Sequence, residues 1–224
     1  MTSPGLPHRK AEPHSMGFTL SAIMLVVLML GLGAASALSA LHNRTKPPAA
    51  AESATVSRAL VGRQLNIPAA WLRGPANSGA QGFASEVELS IALPLGTDGG
   101  LLPVAVTLLP LSQARPSAEL LDGVYLHQFM PNELSGPPGL VGKPLYANEG
   151  YANETVWYDA LSQSPFVAKC MAPVAGASGG NCLRTVALPG GIAAIYRFDA
   201  SALYGWKNFD RLMDEQLKRI GVLG

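Results

Sequence analysis

The two cysteines of the chain, Cys170 and Cys182, are the residues whose spacing most directly indicates chemistry, because eleven residues separate them. A structural zinc site usually takes four ligands, and no histidine stands near either cysteine to complete one. A redox couple of the Cys-x-x-Cys kind has a much shorter spacing. The sequence therefore predicts a disulfide bond, which persists in an oxidising compartment. Two buried free thiols are the alternative.

The alternation of residues in the two strands is not consistent with a disulfide between two regularly paired, buried positions. In "FVAKCMA" Cys170 shares a face with Phe166 and Ala168, whereas in "CLRTVAL" Cys182 shares a face with Arg184. A charged side chain is not expected in a core. We therefore expect either a β-bulge or an exposed position at the rim of the sheet for this disulfide.

A second candidate site lies in "YANEGYANETVWYD", residues 146–159, where "YANE" occurs twice with a spacing of five residues. Regular structure does not place both copies on one face, so only a turn near Gly150 brings them together. Their oxygens would then suit a hard cation such as calcium, and their rings would suit a sugar or a partner's side chains. The predicted binding surface consists of Tyr146, Glu149, Tyr151, Glu154, Trp157 and Tyr158. The alternative is a polar loop that enters a strand with aromatic residues in the core.

Catalytic signals are weak in this sequence. Three of the four histidines precede residue 43, and the fourth, His127, alternates with Tyr125 and Phe129 as a packed strand residue would. The motifs GxSxG, HExxH and the Walker sequence are absent. We predict no catalytic residue, no cofactor and no resident metal ion. The alternative is an exported hydrolase acting on a glycan or another envelope substrate, with acids drawn from Glu133, Glu149, Glu154 and Asp159.

The N-terminal region contains the longest apolar segment. Gly17 to Leu41 is twenty-five residues without a charge, which is enough to span a bilayer as a helix. The alternative is a cleaved secretory signal, for which "ASA" at Ala35 to Ala37 fits the cleavage site. The sequence predicts a cytoplasmic tail at 1–16, an uncleaved transmembrane helix or signal anchor at 17–41, and an exported C-terminal domain in the periplasm or a comparable extracytoplasmic space.

The composition limits the partners of that domain. The formal net charge is +1, and the sixteen Lys and Arg residues are scattered among fifteen Asp and Glu residues, so we exclude nucleic acid. The expected partners are the lipid bilayer, through residues 17–41, and an envelope protein or glycan. The predicted function is that of a single-pass membrane-anchored protein with a binding, assembly or structural role in the cell envelope.

The elements that position these residues follow from apolar periodicity. Residues 42–54 are rich in Pro and Ala and are predicted to be a linker. Residues 55–82 are predicted to hold a short helix, with Val56, Ala59 and Leu60 at helical spacing and Pro68 at its end, followed by a flexible segment. Residues 83–224 are predicted to form the exported α+β domain.

Strand signals dominate this domain. "EVELSIALPL" and "LLPVAVTLLPL" alternate with a period of two and predict an antiparallel hairpin, with Pro94 and Pro103 at edges or bulges. Further strands are predicted at 123–130, 154–161, 166–172, 182–188 and 192–199, the last two joined by a Pro-Gly-Gly turn. Residues 131–151 contain too much Gly and Pro for regular structure and are predicted to be a long loop.

The C-terminal segment is the clearest helix. Its apolar residues recur every three or four positions, Asp199 or Ser201 provides an N-terminal cap, and Gly221 provides the C-terminal stop. The apolar stripe consists of Leu203, Trp206, Phe209, Met213, Leu217 and Ile220. Strands followed by one helix favour the α+β class, with a mainly antiparallel sheet packed against the C-terminal amphipathic helix.

Overall fold

Two β-sheets and two α-helices form the part of the chain that this computed structural model describes, which comprises residues 54–73, 82–147, 152–172 and 179–223. The smaller sheet consists of β1 (Thr55–Leu60), β2 (Arg63–Pro68) and β3 (Gly82–Phe83). The larger sheet consists of β4 (Val87–Pro94), β5 (Leu101–Pro110), β6 (Val141–Pro144), β7 (Glu154–Tyr158), β8 (Val167–Met171), β9 (Asn181–Leu188) and β10 (Ile192–Asp199). The helices are α1 (Ser117–Gly123) and α2 (Trp206–Arg219).

The larger sheet is antiparallel throughout and has the strand order β4-β5-β10-β9-β8-β7-β6. Both predicted hairpins, β4–β5 and β9–β10, are present. The predicted α+β class, with a mainly antiparallel sheet packed against a C-terminal helix, is therefore confirmed.

Helix α2 covers one face of this sheet, which we call the helix face. Phe209, Met213 and Leu217 of α2 are fully buried, and the Phe209 ring packs against Tyr196 and Phe198 of β10. This packing confirms the predicted apolar stripe. Sheet burial on this face comes from the alternation of apolar residues along β4, β5 and β10.

The predicted glycine stop is present at the C-terminal end of α2, whereas the predicted N-terminal cap precedes a 3-10 turn and α2 itself begins after Gly205 without a side-chain cap. Asp199 Oδ1 accepts hydrogen bonds from the Ser201 N–H at 2.9 Å and from the Ser201 hydroxyl at 2.6 Å, at the start of the 3-10 turn Ala200–Gly205 that leads into α2. At the other end Gly221 adopts φ +84°, and the N–H of Val222 donates to the Leu217 carbonyl. This left-handed stop requires a residue without a Cβ.

Among the described residues, α1 and the 3-10 turn Tyr125–Gln128 cover one end of the opposite face of the sheet. There a second apolar cluster forms, whose buried members are Leu121, Tyr125, Leu145, Val156 and Val167. The remainder of this face is more exposed, as Ala105 of β5 and Arg197 of β10 show.

The predicted short helix in residues 55–68 is wrong, because these residues form the antiparallel hairpin β1–β2. Val61 and Gly62 make its two-residue turn, with φ of +50° and +74°. Leu65 and Ile67 alternate with polar residues and are fully buried with Leu60 in the main core. The helical spacing of Val56 and Leu60 is compatible with a strand as well, and burial of the alternating residues decides the outcome.

Two other predicted elements are corrected. Residues 123–130 are not a strand but the end of α1 and a 3-10 turn, so His127 is an exposed turn residue and not a packed strand residue. Within the predicted long loop, Val141–Pro144 forms β6 at the edge of the sheet and pairs with β7. Gly142 suits this strand because its missing side chain leaves room for the ring of Trp157.

The predicted positions of the two strand prolines are confirmed. Strand β4, which contains Pro94, is the outermost strand of the larger sheet. Pro103 lies just beyond Val104, the last residue of β5 that pairs with β10. Neither proline therefore interrupts a ladder that needs its N–H.

All described residues belong to one compact unit, Ala49–Gly224. The predicted transmembrane helix at 17–41, the cytoplasmic tail at 1–16 and the linker up to residue 53 lie outside the described residues. Among the helices that are described, none is long and apolar enough to cross a bilayer.

Candidate functional site

Cys170 and Cys182 face each other directly in β8 and β9 and form a disulfide bond, as predicted. Both residues are buried, at 6% and 1% exposure. The expectation of a bulge or an exposed rim is wrong, because the strands pair in regular register at this point. The conflict with Arg184, which shares a face with Cys182, is resolved by a partner for that arginine.

Arg184 is a buried cation whose charge is neutralised within the helix face. Its Nε and Nη2 donate to the two carboxylate oxygens of Asp210 on α2, at 3.1 and 2.7 Å. Its Nη1 donates to the Val167 carbonyl at 3.2 Å, and its guanidinium lies 4.5 Å from the centre of the Phe166 ring. A bidentate ion pair with these further contacts satisfies a charge that would otherwise be costly to bury.

Strands β8 and β9 separate beside this ion pair, and we call this place the fork. They pair only from Asn181 to Leu183 of β9. At the next ladder position the N–H of Thr185 donates to the Ser117 hydroxyl of α1, at 2.8 Å, where a continuous sheet would offer a β8 carbonyl. Ser117 and Arg184 therefore occupy the gap between the two strands.

The fork leaves the end of β9 with an open edge. The N–H and C=O of alternate residues in a strand point to the same side, and the Thr185 N–H points away from β10. The backbone groups of Ala187 consequently point away from β10 as well. Ala187 is exposed, and within the described residues no group hydrogen-bonds to these two backbone atoms.

Two pockets border this open edge. The helix-side pocket, of about 340 Å³, is lined by Val186, Leu188, Tyr196, Asp210 and Asp214. The loop-side pocket, of about 390 Å³, is lined by Pro116, Glu119, Gln163, Pro165 and Thr185. Ala187 contributes to both pockets. Val186 and Asp210 also line both pockets, so the two cavities adjoin at the open edge.

The helix-side pocket has an acidic character. Burial raises the pKa of the Asp214 carboxyl, the charge of Asp210 raises it further, and Lys218 lowers it. Burial likewise raises the pKa of the Tyr196 hydroxyl well above its ordinary value, with smaller contributions from Asp210 and Asp214. The tyrosine is therefore neutral, and the two carboxylates supply the negative charge of the pocket.

The binding surface predicted from the sequence is distributed over different parts of the domain. Tyr146 is exposed, and Glu154 forms a salt bridge with Lys169 at 2.7 Å. Trp157 and Tyr158 are neighbours in β7 and therefore point to opposite faces of the sheet. Glu149 and Tyr151 lie outside the described residues.

The aromatic residues of this predicted surface make defined contacts. The Tyr158 ring stacks on Phe129 with ring centres 5.7 Å apart, next to the smaller apolar cluster. A Cβ added to Gly136 or Gly142 would overlap the Trp157 ring, so the ring lies in a slot between two glycines. Both rings are partly buried and contribute to packing.

The acids considered for a hydrolase have local partners. Glu133 forms a salt bridge with Lys143 at 3.1 Å, and Asp159 accepts a hydrogen bond from the Leu161 N–H at 3.0 Å. Glu154 is bonded to Lys169, and Glu149 lies outside the described residues. Among the residues that are described, no three His, Cys, Asp or Glu side chains are grouped to hold a metal ion.

A further pocket, of about 250 Å³, lies on the more exposed face of the sheet. Its lining includes Lys169, Met171, Asn181, Leu183 and Arg197. The Lys169 ammonium is engaged with Glu154 at its border. This pocket has no exposed strand edge, which distinguishes it from the two pockets at the fork.

Comparisons with known proteins found little similarity. No family model matches the chain, and no curated protein matches it. A solved structure described as an immunity protein of the Stenotrophomonas maltophilia type IV secretion system is similar, with a TM-score of 0.47 and 12% identity over 75% of this chain and 93% of that chain. The TM-score and the sequence identity are both too low for this similarity to indicate a function.

The residues of the fork were not selected by sequence reasoning. Arg184 is the residue whose position in the sequence indicated the site. It shares a strand face with Cys182, and a buried arginine on that face needs a carboxylate partner. The sequence did not indicate that this partner is Asp210, twenty-six residues away, or that Ser117 of α1 inserts beside it.

Proposed function

We propose that this chain is a single-pass membrane-anchored protein whose exported domain binds a partner protein of the cell envelope at the fork. The observation that carries this proposal is the exposed backbone edge at Ala187, which two adjoining pockets border. Strand edges are used for binding because their unpaired N–H and C=O groups can pair with another chain.

Export is supported by the disulfide between Cys170 and Cys182. Disulfides persist in oxidising compartments such as the periplasm and are rare in the cytosol. The proposed anchor is the apolar segment Gly17 to Leu41, which carries no charge. We also propose that the binding surface predicted from the sequence, between Tyr146 and Tyr158, is a second contact region for the partner.

Photo-crosslinking in intact cells tests the binding role. A photoreactive phenylalanine analogue at Glu119, which is exposed beside the loop-side pocket, is expected to give a discrete adduct with another protein. The same analogue at Leu101, an exposed residue of β5, is the matched control. Adducts of equal yield from both positions, or none from Glu119, would exclude the fork as a binding site.

Mass spectrometry tests the anchor and the export separately. An intact N-terminus at Met1 is expected, whereas a mature N-terminus at Leu38 would show that the apolar segment is a cleaved signal. Alkylation of the chain in cells without reductant is expected to add no adduct, and two after reduction. Labelling of both cysteines without reductant would contradict residence in an oxidising compartment.

A further inference from the structure

We infer that the fork accepts an extended peptide segment that adds to β9 as a short strand and directs a lysine or arginine side chain into the helix-side pocket. This inference rests on the proposed function, because it names the chemistry of the partner at the same site.

The backbone groups at the open edge define how long the added strand is. In an antiparallel pair, two opposite residues exchange both hydrogen bonds, and Ala187 has both groups free to do so. On one side of Ala187 the Thr185 N–H is already bonded to Ser117, and on the other side Pro189 has no N–H. The added segment is therefore centred on one residue opposite Ala187.

The alternation of side chains then fixes where the partner's residues point. Val186 and Leu188 line the helix-side pocket, so the side chain of Ala187 lies on the other face of β9. The partner residue opposite Ala187 shares that other face. Its two neighbours point towards α2, where Asp210 and Asp214 line the pocket.

The charge of the helix-side pocket selects a cation at one of these neighbouring positions. The Asp210 carboxylate is bonded to Arg184, whereas the Asp214 carboxylate, which lines the same pocket, forms no salt bridge within the described residues. Glu119 adds negative charge at the loop-side pocket. A lysine or arginine of the partner provides the missing positive charge, whereas a carboxylate in its place meets repulsion.

The outer edge of β4 offers a matched control for the backbone part of the inference. The Glu88 carbonyl accepts a hydrogen bond from Arg73, outside the larger sheet, so alternate residues from Glu88 point their backbone groups outward. Ala92 is one of them and is exposed, like Ala187. Pro94, two residues further on, shows that this edge accommodates proline.

The test measures fluorescence anisotropy of labelled peptides titrated with the full chain in detergent micelles. The probe is a fluorescein-labelled Thr-Lys-Val-Lys-Thr peptide, whose central valine is placed opposite Ala187 so that the neighbouring lysines point towards α2, and the control probe carries Glu at both lysine positions. We expect the lysine peptide to bind at least about tenfold more tightly than the glutamate peptide, because attraction is replaced by repulsion. Equal binding of both peptides would overturn the charge selection.

Two variants separate the backbone contribution from the charge contribution. Ala187→Pro removes the N–H that the peptide needs and is expected to weaken binding by about tenfold, whereas Ala92→Pro leaves it unchanged. Asp214→Asn does not alter the backbone and is expected to weaken binding of the lysine peptide by up to about fivefold. Unchanged binding by Ala187→Pro would overturn strand addition. Unchanged binding by Asp214→Asn would overturn the ion pair with the lysine.

Fold and self-association are measured on the same samples. The thermal midpoint and the alkylation state establish that each variant is folded, and deuterium exchange of residues 183–189 is expected to slow when the lysine peptide is added. A doubling of mass in light scattering that Ala187→Pro abolishes would identify a second copy as the occupant and overturn the peptide. Adducts from Glu119 in cells without peptide binding would refute this inference and leave the proposed function standing.

Discussion

At the residue scale, the arrangement of the fork depends on Arg184. Its burial on the same face as the disulfide is tolerated because Asp210 supplies a bidentate partner and the Val167 carbonyl accepts a third hydrogen bond. The same guanidinium occupies the space in which β8 would otherwise continue along β9. One side chain therefore links α2 to the sheet at the place where β8 and β9 separate.

Removal of the carboxylate partner tests this role of Arg184. Asp210→Ala leaves a buried guanidinium with one carbonyl contact, and we expect a loss of about 1–3 kcal/mol in the free energy of unfolding, measured by urea titration. Arg211→Ala, which breaks the exposed pair with Glu215, is the control and is expected to change it by less than about 0.5 kcal/mol. Equal effects of both variants would refute a special role for the fork pair.

For Asp214, which also lies on α2, we expect the opposite effect, namely that removal of its charge stabilises the domain. The folded state raises the pKa of Asp214, so it binds the proton more tightly than the unfolded chain, and stability falls as the pH rises from the ordinary pKa through the raised value. Asp214→Asn removes this cost, and we expect a higher thermal midpoint at pH 7 and no gain below about pH 4. The exposed Asp122→Asn variant is the control, and a gain of the same size there would argue against a local cause.

The glycine slot around Trp157 gives a third residue-scale prediction. Gly142→Ala places a methyl group where the Trp157 ring lies, and we expect a loss of about 1–3 kcal/mol in unfolding free energy because the ring must move. Gly123→Ala is the matched control, since no atom lies within 4 Å of an added Cβ there. Part of the loss should return in the double variant Gly142→Ala with Trp157→Leu, and no recovery would contradict a steric cause.

At the element scale, the β1–β2 hairpin is part of the main core although the sequence pattern favours a separate helix. Leu60, Leu65 and Ile67 belong to the same apolar cluster as Phe209 and Met213 of α2. The Asn66 N–H also donates to the Ile220 carbonyl at the end of α2, at 3.0 Å. The hairpin and the C-terminal helix therefore stabilise each other.

Truncation of one hairpin side chain measures this contribution. We expect Leu65→Ala to reduce the free energy of unfolding by about 2–5 kcal/mol, because it removes buried methyl groups and leaves a cavity. Leu161→Ala removes the same atoms from a side chain that is 97% exposed and should cost less than about 0.5 kcal/mol. Urea unfolding of both variants provides the comparison, and similar midpoints would place the hairpin outside the cooperative core.

At the scale of the whole molecule, the disulfide joins two strands at the centre of the sheet, and its persistence depends on the compartment. Cys170 and Cys182 lie in the main core cluster together with Phe166 and Phe198. The bond therefore fixes β8 to β9 immediately before they separate at the fork. Reduction is expected to act on the stability of the domain and on the geometry of the open edge together.

Unfolding with and without reductant tests the contribution of the disulfide. Closing a loop with a sequence separation of 12 predicts a stabilisation of about 3 kcal/mol on the chain-entropy model. We expect the urea midpoint of the native chain to fall on reduction, whereas the double variant Cys170→Ala with Cys182→Ala should be insensitive to reductant. An unchanged midpoint in the native chain would show that the disulfide adds no stability.

The sequence by itself determined the fold class, most strands, the C-terminal helix with its glycine stop, and the pairing of its two cysteines. These features depend on local periodicity, on end residues such as Asp199 and Gly221, and on a cysteine count that leaves one pairing. The predictions of a helix in residues 55–68 and of a strand at 123–130 were wrong. The short apolar patterns of these segments fit more than one element, and long-range burial decides between the possibilities.

Only the tertiary structure decided the fork. The contacts of Arg184 with Asp210 and of Thr185 with Ser117 join residues 26 and 68 positions apart, and no local pattern encodes such distances. Those contacts replace the ladder at Thr185, and the edge at Ala187 is open because β8 begins at Val167 and has no residue opposite it. Sequence alternation identifies which residues of β9 share a face, but whether its edge is paired depends on the elements that pack beside it.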